Sequence, residues 1–371
     1  MRYKIDQLVQ LIMDYRGKTP KKLGMNWTEN QCDIVALSAK NIKDNKIVNT
    51  DKSHYGSESL YKRWMKDGDI EPGDILITSE APLGEVYLIT KPIKAILSQR
   101  LFLLRFNKNI VNPWYIFAFM NSQSFKNKLF SKATGTTVVG IKQKELRKIE
   151  IDLPNIRLQN KVGDIFRVIY KKIIINEIIN DNLLELMDKL FNSFFPNINV
   201  GYDQIGSFIK NYDRFRKPLS KKQRSEIPGN YRYIGATSVM DHINQYNFNG
   251  IYLLLGEDGT VVDDNGYPIL QYIFGKFWPN NHTHVLKGKD ISTEWLYLFF
   301  RQRKVSNIVT GAVQKKISQK NLHSLTFRSP SKDNYLKFDK IIQPIFKSIR
   351  IRMKENSSLF QLKQILLKRY F

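Results

Sequence analysis

"TGTTVVGIKQKELRKIEIDLP", residues 134–154, returns as "TGAVQKKISQKNLHSLTFRSP" at residues 310–330, shifted by 176 positions without a gap. Thr134/Thr310, Gly135/Gly311, Ile141/Ile317, Gln143/Gln319, Lys144/Lys320, Leu146/Leu322 and Pro154/Pro330 are identical. The same shift continues to the last residue, with Ile165/Ile341, Ile169/Ile345, Ile173/Ile349, Asn180/Asn356, Leu183/Leu359, Leu186/Leu362, Leu190/Leu366 and Phe195/Phe371 in step. Those positions recur at threes and fours, the period of a helix. Each copy is therefore expected to end in a long helix, about 156–192 and about 336–371.

Upstream the register changes. "KIDQL" (4–8) lies over "GYDQI" (201–205), and "SAKNIKD" (38–44) over "GATSVMD" (235–241), both at a shift of 197. The difference, 197 less 176, puts 21 more residues into the middle of the first copy. The chain divides as a domain (1–154), a helix (155–196), a second domain (197–334) and a second helix (335–371). This is an α+β protein with an internal pseudo-twofold repeat, its two ends expected close together. Val162, Phe166, Ile169, Ile173, Leu183, Met187 and Leu190 form a stripe close to a coiled-coil seam, with Asn180 and Asn356 in or beside it to set register. Thirty-six helical residues reach about 54 Å, so an antiparallel pair of such helices is expected to space the domains. Pro344 stands where the first helix has Val168, so the second helix begins near 343 or kinks there.

Composition narrows the partner. The 371 residues are 42% hydrophobic and 12% aromatic, enough for folded domains with cores. No apolar run approaches the roughly 18 residues of a membrane span. The amino-terminal MRYKIDQLVQLIMDYRGK is too interrupted by charge for a secretion signal. A single cysteine, Cys32, excludes an internal disulfide and a cysteine-based zinc site, so a reducing cytoplasm is expected. Lys plus Arg number 59 against 34 Asp plus Glu, a net +25. Such an excess calls for a polyanion, most simply nucleic acid. The two domains are about equally basic, with net +9 over 1–154 and +8 over 196–334, and the second helix, 335–371, adds +7.

Each domain opens with a basic segment: "DYRGKTPKK" (14–22), with Arg16, Lys18, Lys21 and Lys22, and "YDRFRKPLSKKQR" (212–224), with Arg214, Arg216, Lys217, Lys221 and Lys222. Gly, Pro and Ser mark both as loops, and cations on loops suit phosphate contacts. Lys132 and Lys142, then Lys315 and Lys316, flank the repeated Thr-Gly turn. That turn either brings backbone amides to a phosphate or joins a helix to a strand. In "LSQRLFLL" (97–104), Gln99 and Arg100 precede an apolar strand and are of the types that read adenine or guanine. "ITSEAPLGEV" (77–86) offers Thr78 and Ser79 on a strand–turn–strand. "PNNHTHVL" (279–286) offers Asn281 and His282, with His284 placed on the same face of a strand.

Other motifs point away from catalysis. "NPWY" (112–115) lacks the second proline of an amino-methyltransferase loop and no glycine-rich cofactor loop accompanies it. It reads as a helix start, Asn112 as N-cap and Pro113 in the first turn. "GEDGTVVDDNGYP" (256–268) has the wrong spacing for an EF-hand, and Asp264-Asn265-Gly266 reads as a hairpin turn. Two histidines without cysteine or carboxylate nearby make a poor zinc site.

The order of these parts resembles the specificity subunit of type I restriction–modification systems. The resemblance is carried by "PGDILIT…APLGEV" (72–86), the TG…I…L…I.LP segment and the long helix after it. "LPNIRLQNKV" (153–162) is similar to the family's Leu-Pro…Glu-Gln segment, with Gln159 kept and Leu158 in place of glutamate; the second copy has Tyr335 at the glutamine position. The resemblance implies two target-recognition domains separated by an antiparallel pair of long helices, each reading half of a bipartite, asymmetric DNA target. It implies no catalysis by this chain and no cofactor of its own. Two methyltransferase subunits, carrying S-adenosylmethionine, and motor–nuclease subunits are the implied partners. Two rivals remain: a self-contained methyltransferase or nuclease with a fused recognition domain, and a basic scaffold for RNA or an acidic protein.

Overall fold

A computed structural model describes residues 1–371. It resolves into two compact units, Met1–Ile174 with Asn356–Phe371, and Ile175–Glu355. No helix is long and apolar enough to cross a membrane.

The first unit is built on a four-stranded antiparallel sheet in the order Val9–Asp14, Leu101–Phe106, Ile75–Thr78, Val86–Leu88. The strands 75–78 and 101–106 are almost continuously apolar because both faces are covered. Ile75, Ile77, Phe102 and Leu104 face the core that holds helix Pro113–Met120. Leu76, Leu101 and Leu103 face a second core around Trp64. That second core lies under a three-stranded sheet, His54–Gly56, Ile34–Leu37 and Ile96–Leu97, whose last pair is parallel.

The second unit has a six-stranded sheet in the order Ile209–Asn211, Thr283–Gly288, Phe248–Gly256, Leu270–Pro279, Pro228–Ile234, Val239–Ile243. Its first four strands repeat the first unit's order: by chain position, first, fourth, second, third. The far end of the long strand 270–279 pairs in parallel with Pro228–Ile234, Ile234 opposite Pro279. In the first unit that end is the separate strand Ile96–Leu97, Leu37 opposite Leu97. The repeat in the sequence is a repeat of topology.

Both long helices have 39 residues, Ile156–Phe194 and Lys332–Tyr370. The second runs through Pro344 and begins upstream of it, so it does not start near 343. The residue whose carbonyl loses its helical donor there, Lys340, sits at an exposed position. Within each unit the two helical segments run antiparallel. In the first, the Asn356 amide donates to Ile173 O (3.3 Å), Lys363 Nζ lies 4.9 Å from the Tyr170 ring centroid, and Phe371 packs on Phe166. In the second, Asn176 meets Glu355 and Phe191 meets Phe338. The apolar stripe does more than form a seam between helices. Of its residues, Val162 and Phe166 belong to the first unit's core and Met187 to the second's, joined there by their neighbours Tyr170 and Phe191, which lie outside the stripe.

The helix starts use matched devices. Asn112 Oδ1 accepts from Trp114 N and Tyr115 N, capping helix 113–120. Buried Gln159 accepts from Asn112 N (3.0 Å) and donates to Ile110 O and Pro154 O. At the equivalent site, Tyr335 Oη accepts from Ser292 N (2.8 Å), and Ser292 caps helix Thr293–Arg301. The tyrosine therefore takes over the acceptor task of the glutamine.

Candidate nucleic-acid interface

Three backbone hydrogen bonds build the same frame in each unit. Ser98 N donates to Leu37 O (2.7 Å), as Asn280 N does to Ile234 O (2.9 Å). Ser79 N donates to Arg100 O, and Glu257 N to His282 O, both at 2.9 Å. Ile141 N donates to Ser79 O, and Ile317 N to Glu257 O, again both at 2.9 Å. Gln99-Arg100 and Asn281-His282 thus occupy one equivalent turn ahead of the strands at 101 and 283. The repeated Thr-Gly segment docks beside that turn as a closed loop, Thr134 bridging Gly140 and Thr310 bridging Lys316. Its glycines are required. Gly135 has φ +113° and Gly311 φ +87°, and a Cβ at either would meet a loop carbonyl at 2.2 or 2.1 Å.

A charged relay anchors the loop base in both units through different residues. In the first, Arg16 pairs with Asp14 (2.7 Å), stacks over Phe102 and donates to Ile141 O (3.2 Å). In the second, fully buried His284 contacts Asp213 through Nδ1 (2.6 Å) and Ile317 O through Nε2 (2.8 Å). Both partners are acceptors, so both ring nitrogens donate. Burial acts to raise the Asp213 carboxyl, but the bond and charge of His284, the Val285 N–H and Arg216 outweigh it and hold it at about 2. Asp213, Glu257 and His284 have ligand atoms within 4.8 Å of one another. Arg216 already fills that cluster, with Nη1 on Glu257 (2.5 Å) and Nη2 3.6 Å from Asp213. The guanidinium takes the place a cation would occupy.

The structure sorts the sequence candidates into free and committed cations. Lys21 and Lys22 are exposed on a 3₁₀ turn, Pro20–Leu23, capped by Thr19; Lys22 donates back to Gly17 O. Lys21 borders a cavity of about 320 Å³ with Gln99, Trp27 and His54, the two rings stacked at 5.3 Å. Lys132 and Lys142 are exposed around a cavity of about 270 Å³ beside the Thr-Gly loop. Arg214, Lys217, Lys221, Lys222, Lys315 and Lys316 are exposed in the second unit, with Lys316 3.6 Å from Glu257. Lys221 and Lys222 open a short helix, Lys221–Glu226, with Ser220 and Gln223 forming its capping box, so this part of the basic segment is not a loop.

Five expectations are corrected. Arg16 and Arg216 are consumed by the internal contacts above. Lys18 donates to Trp64 O (2.7 Å), and burial with nearby Lys66 lowers its ammonium, so it braces helix Glu58–Trp64 and is not a free phosphate contact. Thr78 and Ser79 are buried; the Thr78 hydroxyl donates to Pro82 O and accepts from Glu85 N, holding the turn. His282 and His284 part company, one half exposed and the other enclosed. What sequence reasoning missed is the acid behind each exposed turn: Glu80 on Arg100 (2.9 Å) and Asp258 on His282. The signal was present as an acid one residue past Ser79 and Glu257, but the unequal loops that follow hide the equivalence.

A family model described as the type I restriction modification DNA specificity domain matches residues 3–185 and again 203–359. The chain belongs to this family. A putative type I restriction enzyme specificity subunit of Haemophilus influenzae is 30% identical over 129 residues, 34% of this chain and 32% of that protein. The matched stretch thus spans about a third of the relative's length. The S subunit of the type I restriction–modification system of M. genitalium superposes over 100% of this chain and 96% of its own, with TM-score 0.57 and 16% identity. At that identity the shared property is the fold, the α+β frame with its repeated domains and long helices. The HsdS subunit of Thermoanaerobacter tengcongensis gives TM-score 0.36 at 13% identity, covering 100% and 95%.

Proposed function

We propose that this chain is the DNA-recognition subunit of a type I restriction–modification complex. Each unit reads one half of a bipartite, asymmetric duplex target. Adenine methylation is carried out by two partner methyltransferase subunits that hold S-adenosylmethionine, and cleavage by motor–nuclease subunits. The target base must leave the stack for that chemistry, and the task of this chain is to place the partners over it. It catalyses nothing itself and works in the cytoplasm.

The observation that carries the reading is the duplicated frame. The same three backbone bonds present an exposed two-residue turn in both units, beside a closed loop that lysines flank in the first (Lys132, Lys142) and belong to in the second (Lys315, Lys316), with different side chains at the turn. Repetition of the frame suits two similar stretches of duplex, and divergence at the turns suits unlike sequences. Two copies of one partner are supported by exposed apolar residues at equivalent helix positions: Ile175 and Ile351, Leu186 and Leu362. Such residues on a helix surface favour a protein partner.

The test is methyl transfer. Purified chain with duplex DNA and S-adenosylmethionine transfers no methyl group, and adding the cognate methyltransferase gives adenine methylation at defined sites. Methylation by the chain alone would replace this reading with that of a self-contained enzyme.

A further inference from the structure

The two acid-backed turns carry an assignment that rests on the recognition reading above. Arg100 and His282 hold the same place in the frame, each about half exposed, 51% and 48% by side chain. Glu80 meets Arg100 through Nε at 2.9 Å, which leaves the terminal Nη1/Nη2 fork available. Asp258 engages His282 Nδ1, which leaves Nε2 as the outer ring nitrogen. Arg100 sits at φ +61°, a left-handed conformation unusual for arginine. The turn is held there by Ser79 N on Arg100 O and Ala39 N on Gln99 O (3.1 Å). In the second unit, Asn280 Oδ1 accepts from His282 N (2.9 Å), and Arg216 donates to Asn281 O (3.2 Å).

An exposed ion pair adds little stability, and an acid on a face meant for phosphates repels them. Acids at both equivalent positions are explained if they orient a base-reading side chain before DNA arrives, which lowers the ordering cost of binding. Their neighbours supply the phosphate contacts.

We propose that Arg100 and His282 are the equivalent base-reading residues of the two units, with Glu80 and Asp258 as their positioning residues. Arg100 offers a two-donor fork to guanine O6 and N7. His282 offers one nitrogen, with exposed Asn281 beside it, and reads a different base pair. The two half-targets differ because this pair of residues differs.

The experiment is selection from random duplexes by the full chain bound to its cognate methyltransferase, with circular dichroism melting of each variant as the folding control. Arg100→Ala loses preference for one guanine-containing pair in one block, discrimination there falling roughly 5- to 150-fold, and leaves the other block intact. Arg100→Lys keeps the charge without the fork and shows the same relaxation, including where the alanine variant folds poorly. His282→Ala relaxes one pair in the other block. Glu80→Gln and Asp258→Asn loosen the same pairs as their partners, to a smaller degree. Uniform weakening on all sequences, with both selected blocks unchanged, would overturn the assignment while leaving the recognition reading standing. A wild-type complex that selects no duplex sequence would remove the recognition reading, and this assignment with it.

Discussion

Asp213 shows how one side chain organises a face. Its carboxylate takes His284 Nδ1–H, the Val285 N–H and the Gln319 amide (2.7 Å), and it lies within reach of Arg216. The stretch after Asn211, the strand at 283 and the Thr-Gly loop are thereby tied together. Because its folded pKa, about 2, lies below the ordinary 3.8, its contribution is complete above about pH 4 and lost as pH falls from there through about 2. Asp213→Asn removes the carboxylate on which His284, the Val285 N–H and the Gln319 amide converge, and is expected to cost about 1–3 kcal/mol. Urea denaturation over a pH series checks this: the variant starts less stable at neutral pH and loses less on acidification. An unchanged acid limb would mean that Asp213 does not set it. This is also the scale at which the sequence is least informative. Arg16, Lys18, Lys21 and Lys22 are equivalent cations in the string, yet Arg16 and Lys18 are tied to the distant carbonyls Ile141 O and Trp64 O, while Lys22 reaches only Gly17 O in its own exposed loop. Which cation is free depends on carbonyls brought from 46 and 125 residues away.

At the scale of elements, the 3₁₀ turn Pro20–Leu23 is the part of the first basic segment that remains available. Lys21→Ala with Lys22→Ala is expected to weaken binding to every duplex and to lower the salt slope by about two counterions. Lys18→Ala should leave that slope unchanged and act on stability. Titrations between 50 and 200 mM salt separate the two, and a slope unaltered by the double substitution would take this turn out of the interface. The long helices were legible because a 3.6-residue period survives any change in their surroundings. The helix start at Asn112 was legible because capping is local chemistry. The strand order was not. The long strand 270–279 in one unit answers to two short strands in the other, and the inserted residues break the register that would have aligned them. The takeover of Gln159's acceptor role by Tyr335 was equally hidden, since the two residues share only an oxygen in the same place.

Over the whole molecule, the net charge of +25 and the duplication are the features that support the proposed reading of two DNA segments. Of that charge +9 lies on residues 1–154 and +8 on residues 196–334, so the two domains are about equally basic. The duplicated frame keeps its backbone bonds while its outward residues change, and the loop glycines Gly135 and Gly311 persist because the closed loop needs them. Selection of bound targets from a pool of random duplexes tests this account most directly. The complex of the full chain with its cognate methyltransferase is predicted to enrich two short, dissimilar blocks of sequence separated by a stretch of fixed length and free composition. Enrichment of one unbroken block, or of no sequence at all, would contradict it.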